Sequence, residues 1–189
     1  MTGSEVVLVR HGETAWSASG RHTGTTDVPL TDRGRAQARA LAPTLAGRPF
    51  ALALTSPLGR AAETAVLAGL VAHPDDDLRE WDYGAYEGRT SDDIRAEVPG
   101  WTVWSAPVPG GETANEVGAR VDRVLARVAG IDGDVVLVAH GHVLRVLAAR
   151  WLGLPPDGGR LLALDTASIS TLGWERETRV LRHWNGDHA

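Results

Sequence analysis

The sequence predicts an α/β fold: a three-layer α/β/α sandwich with a mostly parallel central sheet and a small cap of loop and helix. Three observations carry this. Short apolar runs stand at residues 5–9 (EVVLV), 50–54 (FALAL) and 134–139 (DVVLVA). They are unbroken by the polar alternation of a one-sided strand, so they read as inner strands covered on both faces. Segments with helical spacing lie between them, the alternation that leads to parallel pairing. Residues 10–29 and 80–111 show no steady period and carry Gly, Thr, Pro and aromatic side chains. Long loops of this kind in an α/β domain are more often functional than idle, and ligands of open parallel sheets sit beyond the carboxyl ends of the strands.

After the first strand, a helix is expected over residues 31–46. Thr31 can cap its first turn, Ala36, Leu41 and Leu45 approximate its apolar stripe, and Pro43 disturbs its last turn. The 50–54 strand follows, then a helix over 58–70. The loop 80–111 leads into a third helix over 113–128, the 134–139 strand, and a fourth helix over 143–152 that Gly153 can end. Residues 168–174 and 179–184 read as two closing strands joined by a polar turn. A chain of 189 residues, 43% in the hydrophobic class, is expected to form one domain over residues 1–189, with the cap at about 80–111.

Composition removes several classes of function. With no cysteine there is neither disulfide nor thiolate chemistry, and a cytoplasmic location is expected. No apolar run reaches membrane-spanning length. The net charge of −5 argues against nucleic acid and anionic lipid as partners, so any anion must be caught by a local pocket. All 19 basic side chains are arginine, the better fork for phosphate. The remaining partner expectation is a homodimer, with Trp151 and the C-terminal strands as candidate apolar surfaces.

Chemistry concentrates at two strand ends. Arg10-His11-Gly12 follows the first strand, and His140-Gly141-His142 follows the 134–139 strand. If both strands are central and parallel, the two imidazoles emerge on one sheet edge, and the glycine after each permits close approach to a ligand. A neutral histidine can attack phosphorus, and neighbouring cations keep it neutral by penalising its protonated form. The same cations bind phosphoryl oxygens and meet the charge that grows in the transition state. Taken singly, each histidine is as well explained as a satisfied strand-end residue.

The run Leu8-Val9-Arg10-His11-Gly12-Glu13-Thr14, continued by Gly20-Arg21, Gly24, Asp27 and Pro29-Leu30-Thr31, resembles the signature of the histidine phosphatase (phosphoglycerate mutase-like) superfamily. Residues 55–65 (TSPLGRAAETA) are similar to its second block, Glu80 with Tyr83-Gly84 and Glu87-Gly88 to its third, and Val138-Ala139-His140-Gly141 to its fourth. Four blocks in order span most of the chain. The resemblance implies His11 as the nucleophile that becomes phosphohistidine, Arg10, Arg60 and His140 as holders of the phosphoryl oxygens, and Glu80 as the proton donor. Asp82 and Glu87 are rival acids in the same loop. The implied substrate-binding residues are Ser17, His22, Thr23, Gly24, Tyr83, Gly141 and His142. Ser17 and Thr23 stand where many members have asparagine and glutamine, which leaves more room. The run His22-Thr23-Gly24 and the 80–84 loop look like the branch of acid phosphatases and sugar-bisphosphatase-like members.

The resemblance implies hydrolysis of small phosphate monoesters with no cofactor and no metal. A phosphoglycerate mutase-type transfer is the alternative, but the family's mutases carry extra cations between the third and fourth blocks, and residues 90–112 hold only Arg95. A binding module without catalysis is a weaker option because every expected catalytic residue is present. A metal hydrolase built on His140 and His142 is opposed by Arg10 beside the site. His73, His183 and His188 fall outside every block and are expected at the surface.

Overall fold

The structure is a computed structural model that describes residues 4–186. Six strands form one sheet: β1 (Val6–Arg10), β2 (Phe50–Thr55), β3 (His73–Pro74), β4 (Asp134–Ala139), β5 (Ile169–Glu175) and β6 (Thr178–Gly186), in the order β3-β2-β4-β1-β5-β6. The pairs β2–β3, β2–β4 and β1–β4 are parallel, and β1–β5 and β5–β6 are antiparallel. The helices are α1 (Ala15–Ala18), α2 (Asp32–Ala40), α3 (Ala42–Leu45), α4 (Gly59–Leu67), α5 (Ser91–Glu97), α6 (Ala114–Val128) and α7 (Gly141–Trp151). None among the described residues is long and apolar enough to cross a membrane.

Alternation along the central strands makes the three layers. Val6 and Leu8 of β1 and Val135, Leu137 and Ala139 of β4 join α6, α7 and the cap in one buried cluster. Val7 and Val9 with Val136 and Val138 face the other way, onto Leu41 and Leu45 and onto Ala61 and Ala65 of α4. Successive side chains of a strand point to opposite faces, so an unbroken apolar run feeds two cores at once.

The connections part at the middle of this sheet. The chain leaving β1 runs through α2 and α3 on one face to β2, while the chain leaving β4 runs through α7 on the opposite face to β5. Between β1 and β4 the carboxyl ends therefore open a crevice, the usual ligand position in such sheets.

Several boundaries differ from expectation. The 31–46 helix is two pieces, because Pro43 has no N–H for the carbonyl four residues earlier. Its buried stripe is Gly34, Ala38, Leu41 and Leu45, and Ala36 is exposed. The fourth helix starts at Gly141, two residues early, because a carboxylate elsewhere in the chain caps it. The two-residue strand β3 was not anticipated, and the two loops contain the short helices α1 and α5. Trp151 is 3% exposed, packed edge to face on Trp174 with Arg179 over both rings, so it offers no free apolar surface. His73 and His183 are exposed, and His188 lies outside the described residues.

Candidate active site

Register sets the site. Arg10 of β1 lies opposite Ala139 of β4, and Thr55 of β2 opposite Val138. One step beyond those pairs, His11, His140 and Ser56 emerge side by side at the same sheet edge. The two imidazoles sit 5.1 Å apart, edge to face. His140 Nε2 lies 2.7 Å from Ser56 Oγ, while its Nδ1 accepts from Arg60 Nε at 3.1 Å. An arginine can only donate, so the His140 proton resides on Nε2 and is given to the serine.

His11 is 4% exposed, and its Nδ1 donates to its neighbour's carbonyl, Gly12 O, at 2.7 Å. That bond leaves the lone pair on Nε2. Burial pushes its pKa well below the usual histidine value, and Arg10 and Arg60 push it further down. His140 is lowered in the same way, by burial first and then by Arg60. Both rings are thereby held toward the neutral form.

Glu80 reaches the site from the cap loop. Its Oε1 accepts from Trp81 N and Val143 N, each at 2.9 Å, and its Oε2 from His142 N at 3.0 Å. It thus supplies the N-terminal cap of α7 that His140 itself lacks. Oε2 takes a single N–H and keeps a lone pair spare.

A cavity of about 170 Å³ is lined by Arg10, His11, Ser17, Gly20, Arg21, His22, Thr23, Glu80, Tyr83, Gly141, His142, Arg145 and Leu164. It unites most of the residues singled out in the sequence. Gly24, Arg60 and His140 do not line it. Arg60 is fully buried behind His11, where it donates to Thr23 O, Gly24 O and Thr26 O as well as to His140, with Asp27 at 3.6 Å. Gly24 is needed for close approach: a Cβ there would sit 2.5 Å from Trp81 O. Its N–H and that of Thr26 bond Glu87 Oε1 at 2.8 and 3.1 Å. Glu87 is thereby spent on the loop whose carbonyls hold Arg60, and Asp82 on the N–H of Gly84.

The far wall belongs to the cap. Tyr83 OH lies 2.5 Å from His142 Nδ1, and His22 packs 4.7 Å from the Tyr83 ring. Burial, then Arg95, lowers the His22 pKa to about 4. Ser17 spends its hydroxyl on a capping box with Thr14, and the Thr23 hydroxyl donates to Arg21 O. Among the described residues, no three or more of His, Cys, Asp and Glu converge as a metal site.

Sequence reasoning missed Arg145, Ser56 and Arg120. Arg145 lies three residues after His142 on one face of α7, a spacing that was there to be read. Arg120 interrupts the apolar stripe of Val117, Val121 and Val124. Its guanidinium donates to Asp77 O, Arg79 O and Glu80 O and to both oxygens of Glu112, which fixes the segment that carries Glu80.

The model of the histidine phosphatase superfamily (branch 1) matches residues 6–187. An acid phosphatase of Mycobacterium tuberculosis is 44% identical over 182 residues, covering 93% of this chain and 89% of the relative. A sedoheptulose 1,7-bisphosphatase of Saccharomyces cerevisiae is 36% identical over 78% of this chain and 67% of its own. The solved structure of a mycobacterial glucosyl-3-phosphoglycerate phosphatase in complex with VO3 superposes with a TM-score of 0.88 at 33% identity, covering 98% of this chain and 100% of that one. A family match over nearly the whole chain, together with two histidines and an arginine at adjoining strand ends, identifies the protein as a member of the histidine phosphatase superfamily.

Proposed function

We propose that the protein hydrolyses small phosphate monoesters through a phosphohistidine on His11, in two steps at the β1–β4 crevice. The carrying observation is a neutral His11 whose Nδ1–H is spent on Gly12 O, with Nε2 left as the lone pair beside a cavity that also holds Arg10 and Glu80.

In the first step Nε2 attacks phosphorus, the N–P bond forms, and the ester O–P bond breaks. An alkoxide leaves poorly, so Glu80 acts as the proton donor to the departing oxygen, from Oε2. In the second step a water oxygen attacks phosphorus, its proton passes to Glu80, the N–P bond breaks and phosphate leaves. Arg10 supports the phosphoryl charge throughout: its Nη1 is held by Leu164 O, and its side chain lines the cavity beside His11. Arg60 and His140 act from behind the nucleophile, as charge and orientation, in the state described here. The carry-over of phosphoryl contacts to them requires Arg60 to exchange a backbone carbonyl for a phosphoryl oxygen.

The other substrate-binding assignments, Ser17, His22, Thr23, Tyr83, Gly141 and His142, are supported by their place around the cavity, and Gly24 by its hold on Arg60. The one-domain span 1–189, the cytoplasmic location and the exclusion of nucleic acid belong to the same proposal and rest on composition and motif order. A homodimer would use the free edge of β6, since Trp151 is covered.

The test is turnover of p-nitrophenyl phosphate with chelator present. Turnover is expected to persist, and acid-labile phosphate is expected on the wild-type protein but not on His11→Ala. Isomerisation of 3-phosphoglycerate without net hydrolysis would select the mutase alternative.

A further inference from the structure

Glu112 stands outside the catalytic cavity, yet every polar group it carries is turned toward the segment that bears Glu80. Its N–H donates to Asp82 O at 2.9 Å, and its carbonyl accepts from Trp81 Nε1 at 2.8 Å. Its Oε2 accepts from Asp82 N at 2.9 Å, and its two carboxylate oxygens accept from Arg120 Nε and Nη2 at 2.8 and 2.9 Å. The same guanidinium donates to the carbonyls of Asp77, Arg79 and Glu80. Residues 79–82 are thus gripped along their backbone by one ion pair.

Helix capping does not account for this arrangement. Glu112 directly precedes the N-cap of α6, but that helix is capped by Thr113 and Glu116 alone. Nor is the pair an ordinary surface contact, because the side chains of Arg120 and Glu112 are only 9% and 24% exposed, and a forked pair fixes orientation as well as charge. What the grip controls is the acid. The Glu80 carboxylate spans two bodies, with Oε1 taking Trp81 N from the cap loop and Val143 N from α7, and Oε2 taking His142 N. The α7 end is set by a helix, whereas the loop end is set only as firmly as residues 80–82 are held. Trp81 is tied at both ends, by its N–H to Glu80 Oε1 and by its indole N–H to Glu112 O.

We propose that Glu112 is a positioning residue for the proton donor: paired with Arg120, it holds Glu80 Oε2 at the departing oxygen while touching no reacting atom itself. A reacting group is effective only when its neighbours lock it in place, and a shift of about 1 Å costs about a hundredfold in rate. The role rests on the phosphatase reading above, with Glu80 as donor. It carries a specific signature, since a misplaced acid matters only where the leaving group needs a proton.

The experiment compares kcat/KM for p-nitrobenzyl phosphate and p-nitrophenyl phosphate by phosphate release. The bodies are alike, but the benzyl alkoxide leaves only with a proton and the nitrophenolate leaves without one. Because kcat/KM covers the steps up to formation of the phosphohistidine, the later use of Glu80 on water does not enter. Glu80→Gln is expected to lower the benzyl-to-phenyl ratio by about a hundredfold. Glu112→Gln is expected to lower it by about tenfold, and Glu112→Asp, which keeps the charge, to restore part of it. Trp81→Phe removes a single bond of the grip and should lower the ratio by about threefold; it decides the matter if Glu112→Gln does not fold. A merely structural role would weaken both substrates alike, so an unchanged ratio in Glu112→Gln, or in Trp81→Phe where the former is unfolded, overturns the proposal. An unchanged ratio in Glu80→Gln would instead remove the donor assignment, and absence of p-nitrophenyl phosphate turnover the phosphatase reading itself.

Discussion

At His11 the chain commits one ring nitrogen to its own backbone and thereby selects the other for chemistry. Removing the ring is expected to lower kcat on p-nitrophenyl phosphate by about a thousandfold or more, because the covalent route is lost while the cations remain. A circular dichroism melt of His11→Ala should still show a cooperative transition, which separates a missing nucleophile from a missing fold. Arg120 makes the opposite case, a side chain outside the cavity on which the site depends. Arg120→Ala strips four acceptors of their partner, Glu112 and three backbone carbonyls, so it should cost about 3–5 kcal/mol, as for a broken buried pair. Urea unfolding measures that cost, and an unchanged midpoint would contradict the role. His11, Arg10 and Glu80 could be read from the chain because each stands in a recurring block, the first two at a strand end and Glu80 in the cap loop. Arg120 could not, since its meaning comes from carbonyls some forty positions away, and an arginine inside an apolar stripe looks like an ordinary helix charge until those carbonyls are seen. Arg60 was legible as important but its posture was not, because nothing in its block says that loop carbonyls take its donors.

Helix starts were easier to read than helix ends. Thr31 caps α2 and Thr113 caps α6 through side chains adjacent in sequence, so local pattern suffices. The start of α7 escaped that pattern because its cap comes from Glu80, sixty residues away. Thr113→Ala is expected to cost about 1 kcal/mol with kcat on p-nitrophenyl phosphate within twofold of wild type, since no residue of α6 lines the cavity. Glycine at position 34 is a different matter: a Cβ there would run into the carbonyl of Glu13, and one on Gly12 into the carbonyl of Gly34. The first turn of α2 is thus pressed against the segment just after the nucleophile. Gly34→Ala should destabilise by about 1–3 kcal/mol and reduce kcat as well, because the backbone that must yield is the one holding His11. Full activity in a destabilised Gly34→Ala would show that the displaced turn moves away from the catalytic loop instead.

For the whole molecule, buried neutral histidines tie stability to pH. His11, His140 and His142 are all lowered well below 6.5, and His22 to about 4. Once unfolded, these rings bind protons near pH 6.5; folded, they do not. Below 6.5 the unfolded chain therefore holds more protons and is favoured, by about 1.4 kcal/mol per pH unit for each ring until its folded value is reached. The stability they provide is complete above pH 7 and erodes as pH falls. Thermal melts between pH 8 and 5 should show a nearly constant Tm at the upper end and a steep decline below 6; a level Tm down to pH 5 would mean the rings are not held neutral. The layers and the mostly parallel sheet were anticipated from apolar runs because a parallel sheet leaves that mark locally; the strand order was not, since pairing partners lie far apart in the chain. The cap was anticipated as loop and helix without its packing, since its aromatic contacts join residues from four segments. This division has a consequence for how such enzymes diversify. His11, Arg10 and His140 stand on rigid strand ends, whereas the facing wall that would choose among substrates hangs on the 80–111 loop and one face of α7. Evolution, or an engineer, can retailor the chooser while the chemical engine stays as it is.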